Sequence, residues 1–385
     1  MSNKLKLTLL GLFLVQISIV AWSYLKNKQE KEQHYQVISP YLENPNAVKS
    51  LDLSHMNLKE LPEEILTLKN LTTLNLSNNR FQEIPNQIYS LPNLKSLNLS
   101  HNNITKVKLY YNNSIERLDV SHNQINDIEY SHFGSSALKK LRTIDFSYNE
   151  IEAYPSLQAF STMDTILLSN NRLSAFYKMH AYLPERVKYL DISSNEIERL
   201  KSSIHTYYAD LIYSVNKCES INLSDNFFEY FPYEIFQGEV SSSIIMQKCE
   251  FNRIDNEKPT SLIPNNYTFF DFSNTDDYLD SFPFNKFINL ETLHLENTRF
   301  KNCLIDLPHL STLNVKSISI DDSLFIRCPN LERLEIDYDK ISAFTDDELL
   351  QMLNLKTIVI ANHPDDKTLV TRLKMLYSNV EIILE

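Results

Sequence analysis

The sequence predicts an α/β repeat solenoid, a stack of short strands joined by turns and loops. Two observations carry that prediction. First, an apolar pattern L-x-x-L-x-L-x-x-N-x-L recurs in near-ideal form. It stands at Leu71-Leu74-Leu76-Asn79-Phe81 and at Leu94-Leu97-Leu99-Asn102-Ile104. Second, most steps between successive L-x-L cores measure 20–26 residues. A fixed period in that range is the signature of stacked supersecondary units, each burying its apolar face against its neighbours. The 385 residues therefore form one array instead of two or three ordinary domains.

The elements follow in chain order. Lys4 and Lys6 precede an uncharged apolar run of 19 residues, Leu7 to Leu25, followed by Lys26, Lys28 and Lys31. That run approaches the ~20 residues a helix needs to cross a bilayer. Two readings of residues 1–25 fit. One is a cleaved secretory signal with Ala21-Trp22-Ser23 at its end. The other is an uncleaved anchor with Trp22 and Tyr24 at the interface. Either reading implies export, with the solenoid outside the cytoplasmic membrane and tethered there if residues 7–25 stay attached.

Residues 26–47 read as a polar linker and a short cap, Ile38 to Pro45, shielding the first repeat. The repeats occupy residues 48–365, about 14 of them. The pattern opens at Val48-Leu51-Leu53-Leu58. It continues through cores at Leu118, Ile144, Ile166, Leu190 and Ile221. The step from Leu190 to Ile221 is 31 residues, so an insertion near Ser202–Val215 is expected to bulge from one face.

The asparagine ladder Asn79, Asn102, Asn123, Asn149, Asn171, Asn195 and Asn226 is expected to satisfy backbone groups in the turn after each strand. Beyond about residue 228 that position becomes Cys249, Thr275, Thr298, Ile318, Asp339 and His363. Cys and Thr can partly substitute for asparagine there and Ile cannot, so a regular first half and a distorted second half are expected. Residues 366–385 read as a cap, with a helix over Leu369–Tyr377 and a last strand at Val380–Leu384.

These motifs resemble the leucine-rich repeat family over about residues 44–385. Leu61-Pro62-Glu63-Glu64-Ile65 and Ile84-Pro85-Asn86-Gln87-Ile88 are similar to its LPxxI-type members, which are common in bacteria. The resemblance implies a horseshoe with a parallel sheet on the concave face and mixed loops or helical turns outside. It implies protein recognition as the activity. The paired cysteines that cap many animal extracellular members are absent.

Within each repeat the leucines point inward and the intervening residues face the concave side, by the period-two rule for strands. The residue between the paired apolar positions reads Asp52, Asn75, Asn98, Asp119, Asp145, Leu167, Asp191 and Asn222. This column is either solvated consensus or an acidic stripe for a basic partner. Leu167 breaks it, and Tyr148 and Tyr189 are expected nearby on the concave face. Arg117, Asp119, Asp145 and Asp191 would supply the polar rim of a binding patch centred on Leu167.

A net charge of −12 argues against nucleic acid and against anionic lipid surfaces. Hydrophobic content of 43% supplies an ample core, and three glycines in the whole chain argue against Gly-rich phosphate loops. There is no G-x-S-x-G, H-E-x-x-H or P-loop, so no enzyme is expected and no cofactor. His55, His101 and His122 share a turn position that takes several residue types, and no metal is expected there. The four cysteines make no C-x-x-C and read as small buried hydrophobes. The expected function is a non-enzymatic protein-binding scaffold or receptor. A structural or adhesive cell-envelope role, and a carbohydrate ligand stacking on Tyr148 and Tyr189, are the alternatives.

Overall fold

In the computed structural model the structure describes residues 16, 18, 20–26, 28–29, 32, 35–109, 114–130, 140–153, 162–174, 184, 186–198, 218–228, 243–251, 267–275, 282, 284–301, 303–320, 323–364 and 367–385. The chain divides into two compact units, Met1–Leu141 and Arg142–Glu385. The putting-out of a bulge near 202–215 falls outside the described residues, as does most of the apolar run 7–25. Among the described residues no helix is long and apolar enough to cross a membrane.

The first unit opens with two short 3-10 turns, Ser39–Leu42 and Pro45–Ala47, each with proline in its first turn. They follow a fully buried Ile38. Four strands follow, β1 (Ser50–Asp52), β2 (Thr73–Asn75), β3 (Ser96–Asn98) and β4 (Arg117–Asp119). They pair parallel, with Leu51, Leu74, Leu97 and Leu118 in register. All four leucines are buried. The LPxxI-type segments become 3-10 helices, Glu63–Thr67 and Asn86–Ser90, which bury Ile65 and Ile88. Proline suits the residue entering each of them, because its fixed φ is already set for the turn.

The second unit stacks eleven strands. These are β5 (Thr143–Asp145), β6 (Thr162–Leu167), β7 (Arg186–Asp191), β8 (Cys218–Asn222) and β9 (Ser243–Ile245). Then come β10 (Phe269–Asp271), β11 (Thr292–His294), β12 (Thr312–Val315), β13 (Arg333–Asp337), β14 (Thr357–Ala361) and β15 (Glu381–Leu384). Every neighbouring pair is parallel and in register, from Ile144 opposite Ile166 to Ile358 opposite Ile382.

The core changes character along this unit. Aliphatic residues dominate the first repeats, beside buried Phe146 and Phe228, whereas Tyr267, Phe270, Phe272, Phe282, Phe284 and Phe287 form a contiguous aromatic cluster further on. Ring centroids such as Phe270–Phe287 at 4.8 Å and near-perpendicular planes give the edge-to-face packing that ring quadrupoles favour. On the side away from the main strands, short parallel pairs replace helices. In unit 1 Lys106–Leu109 pairs with Asp127–Tyr130. In unit 2 Phe227–Phe228 pairs with Glu250–Phe251, Arg299–Phe300 with Ser319–Ile320, and Cys303–Asp306 with Leu324–Arg327.

Beyond residue 228 part of the ladder is kept. Backbone bonds from the turns continue, including Asp225 N–H to Gln247 O (2.8 Å), Lys248 N–H to Ser273 O (3.0 Å) and Asn274 N–H to Glu296 O (2.7 Å). The reason is that smaller side chains take over one function of asparagine. Cys249 Sγ donates to Leu223 O at 3.4 Å and Thr275 Oγ1 to Met246 O at 3.3 Å. Thr298 Oγ1 donates to Leu295 O at 2.5 Å. Regular turn geometry fails later, where α1 (Tyr338–Ala343) carries Asp339 out of the ladder. Asp337 substitutes there, accepting from Ser317 N–H (2.6 Å) and Asn362 Nδ2 (2.8 Å).

Two further helices precede the last strand. Helix α2 (Asp346–Leu349) starts with a capping box between Thr345 and Glu348. Helix α3 (Thr368–Leu376) buries Leu369 and Leu373. Arg372 ties the two together, donating to Asp346 Oδ1 and to Phe344 O, both at 2.7 Å. Tyr377 Oη donates to Leu349 O.

Candidate functional site

The open faces of the strands are built by alternation. Apolar residues enter the core, and the residues between them point the other way. What holds these faces rigid is the turn that follows each strand. Nearly every turn places one residue in the left-handed region: Asn78, His101 and His122 in unit 1, and Tyr148, Asn170, Ser194, Asp225, Lys248, Asn274, Asn297 and Ser317 in unit 2, with φ of 51–59°. Asparagine and aspartate accept that conformation most readily among residues with a Cβ, whereas tyrosine does so at a cost.

The asparagine ladder locks the turns. Asn102 Oδ1 accepts from Phe81 N–H (3.0 Å), and its Nδ2 donates to Leu76 O and Leu99 O (both 3.0 Å). Asn79 and Asn123 repeat this in unit 1. Asn171, Asn195 and Asn226 repeat it in unit 2, and Asn149 donates to Phe146 O at 2.9 Å. All seven are buried. Asn79, Asn102, Asn123, Asn171, Asn195 and Asn226 therefore each satisfy groups from two successive repeats that water cannot reach.

A second locking device went unread in the sequence. The Asp/Asn column on the open face faces its own backbone. Oδ1 of Asp52, Asn75, Asn98 and Asp119 accepts the N–H two residues on, at 2.8–3.1 Å. Asp145, Asp191, Asn222 and Asp271 do the same. In Asp119, Asp145 and Asp191 the serine hydroxyl joins the bond at 2.6–2.7 Å. The signal was available, since each of these residues starts a D/N-x-S triplet. For Asp52 the backbone bond from Ser54, with its hydroxyl, holds the carboxyl below the usual carboxylate range.

The column is thus partly a structural feature, which leaves Leu167 as the position that abandons it. Leu167 lies between Asp145 and Asp191 in register and is half-buried. Tyr189 pairs with Thr165, one position along, and its hydroxyl lies 3.4 Å from Asp191 Oδ2. Burial and the Asp191 charge push the Tyr189 phenol above its ordinary range. Tyr148 is a correction: it sits not on a strand but in the left-handed turn after β5, with φ 54° and 49% exposure. It stands three positions after Asp145, past the end of the strand, so it flanks the face instead of belonging to it. Arg117 and Asp119 lie on β4 of the first unit, opposite Ser96 and Asn98. Arg117 is exposed there and Asp119 half-buried.

Further along unit 2 the structure adds residues to this face. Ile245 follows Asn222 in the Leu167 column, and Phe269 follows Ser243 in the Tyr189 column. Both are half-buried. Phe269 meets His294 edge-on, with ring centroids 5.6 Å apart. His294 Nδ1 stands 3.5 Å from Asp271 Oδ2, and Gln247 Nε2 donates to the same oxygen at 2.6 Å. Burial pushes the Asp271 carboxyl up, yet the bonds from His294, Ser273 N–H and Gln247 outweigh it and the net shift is downward. Beyond this, Lys316 bridges Glu335 (3.3 Å) and Glu385 (3.1 Å), and Arg333 pairs with Glu335 at 2.8 Å. The face therefore runs from mixed apolar and acidic residues into a network of paired charges.

Other candidates carry no chemistry here. His101 and His122 stack face to face at 4.1 Å, with planes 11° apart. Parallel rings do not converge their nitrogens on one point, and no metal-holding cluster exists among the described residues. The four cysteines form no disulfide and are buried. Burial pushes the Cys249 and Cys328 thiols up to about 12, and Cys218 further. Such thiols are poor nucleophiles at neutral pH.

Known proteins agree with this architecture. Residues 46–104 match the family model described as leucine rich repeat, and residues 92–133 match leucine rich repeats in two copies. The chain carries the leucine-rich repeat fold. Among solved structures, a leucine-rich repeat protein of Leptospira interrogans superposes with a TM-score of 0.57 at 18% identity, covering 90% of this chain and 98% of that one. YopM from Yersinia enterocolitica gives 0.51 at 18% identity, over 92% and 72%. The TLR13–ssRNA13 complex gives 0.54 at 17% identity, over 87% and 54%. No curated protein matches the chain. At these identities the leucine-rich repeat likeness is one of fold.

Proposed function

We propose that this leucine-rich repeat chain is a non-enzymatic scaffold that binds another protein through the open face of its second unit. One observation carries the reading. Leu167, Tyr189, Ile245 and Phe269 present half-buried apolar surface on β6, β7, β9 and β10. Those strands span roughly 20 Å at the usual ~4.8 Å spacing. Asp145, Asp191, Asn222, Asp271 and His294 interleave with them. Apolar anchors inside a polar surround are the anatomy of a protein-binding hot spot. The turn locks described above hold the anchors before any partner arrives, which lowers the ordering cost of binding.

The acidic members favour a partner with basic side chains at its rim. The apolar run Leu7–Leu25 supports an exported protein whose repeats work outside the cytoplasmic membrane, as a receptor if that run stays attached. The experiment compares the full-length chain with its Leu167→Asp/Phe269→Ala variant in affinity capture from native membranes. Circular dichroism confirms that both are folded. A protein bound by the wild type and lost by the variant supports the proposal. A protein retained equally by both, or none captured by either, contradicts it.

A further inference from the structure

The outer side of the second unit carries apolar surface that neither the core nor the open face uses. The strand pair Cys303–Asp306 and Leu324–Arg327 is parallel, with Leu304 opposite Phe325 and Asp306 opposite Arg327. Cys303, Ile305 and Ile326 turn inward and are buried. Leu304, Asp306, Phe325 and Arg327 turn outward and are exposed. Leu304 is 48% exposed and Phe325 45%, large fractions for neighbouring apolar side chains.

The apolar surface continues past the strand ends. Asn330 Nδ2 donates to Pro308 O at 2.8 Å, and Asn354 Nδ2 donates to Pro329 O at 2.9 Å. These bonds stitch three successive repeats together, and Pro308, Pro329 and Leu353 are exposed there. Exposed apolar surface rimmed by polar residues marks an interaction site.

The arrangement of charge says which partner fits. Each strand of the pair offers one apolar and one charged side chain, at the same level, and the two charges are opposite. Consider a two-fold axis running parallel to the strands and midway between them, above their outer surface. It lays Leu304 of one copy over Phe325 of the other, and Asp306 of one copy over Arg327 of the other. The same operation makes the reciprocal pairs, as an isologous interface requires. We infer that a second copy of this chain docks on this flank, forming a two-fold dimer through Leu304, Asp306, Phe325 and Arg327.

Charge exchange tests this directly. Sedimentation equilibrium is run on the full-length chain in a mild detergent, with circular dichroism on each variant to establish folding. The wild type is expected to dimerise. Asp306→Arg and Arg327→Asp each set like charges against each other across the axis, and each is expected to weaken the dimer by at least about tenfold. The double variant Asp306→Arg/Arg327→Asp restores opposite charges and is expected to restore the dimer. Phe325→Asp is expected to abolish it. A monomeric wild type overturns the inference. So does association that is indifferent to the single reversals, as association through the N-terminal apolar run would be. A double variant as weak as the single ones overturns it as well.

Discussion

Asp271 shows how much one side chain carries in this molecule. It caps the turn after its strand through Ser273 N–H, anchors Gln247 and faces His294. Its folded-state pKa is held below the ordinary value. The unfolded chain then binds more protons in the window below the ordinary carboxylate pKa, so Asp271 stabilises the fold above that window. Stability drains away as pH falls through the depressed folded value. Asp271→Asn retains a cap acceptor but cannot titrate. The variant is expected to lose less of its melting temperature than the wild type between about pH 5 and pH 3. Thermal melts across that range check this; parallel curves for the two proteins would contradict it. The same residue shows what a sequence hides. An aspartate between two paired apolar positions looks like surface charge, and only the following x-Ser reveals that one oxygen is committed to the backbone.

At the scale of elements, the unit of construction is the strand with its locked turn, and the asparagine ladder joins one to the next. Asn102 satisfies a buried N–H and two buried carbonyls drawn from two repeats. Asn102→Ala strands those groups and is expected to cost about 3 kcal/mol of stability. Asn102→Thr should cost less, because Thr275 and Thr298 already replace asparagine in unit 2 with one hydroxyl bond each. Denaturant unfolding of the two variants measures both effects, and equal losses would sink the substitution argument. The strands and the asparagine ladder were legible because their apolar periodicity and their Asn spacing are local signals. The ladder beyond Asn226 was legible in part: Cys249 and Thr275 can each replace one asparagine bond, but which carbonyl each one bonds shows only in the structure. Tyr148 was misplaced for a related reason: its side-chain class suggested a binding face, whereas its backbone serves a left-handed turn. The outer strand pairs escaped notice because two to four residues carry too little periodicity to read.

At the scale of the whole molecule, the chain holds two compact repeat units, and the candidate site belongs to the second. Sequence singled out Leu167, Tyr189 and Asp191, which share neighbouring strands there. It marked Phe269 only as a lesser candidate and passed over Ile245, since a lone Ile between core positions cannot be distinguished from core without the register. The acidic balance of the chain and the apolar-plus-acidic character of this face agree on a protein partner with basic groups at its edge. The central claim is that this face is where the partner binds. The most direct test installs a photo-crosslinking residue at Ile245, and in a second version at Lys286 on the outer side, and irradiates each full-length chain in native membranes. A covalent adduct with one protein from position 245 and none from position 286 is the result expected. An adduct from position 286 alone, or from neither, would contradict the claim.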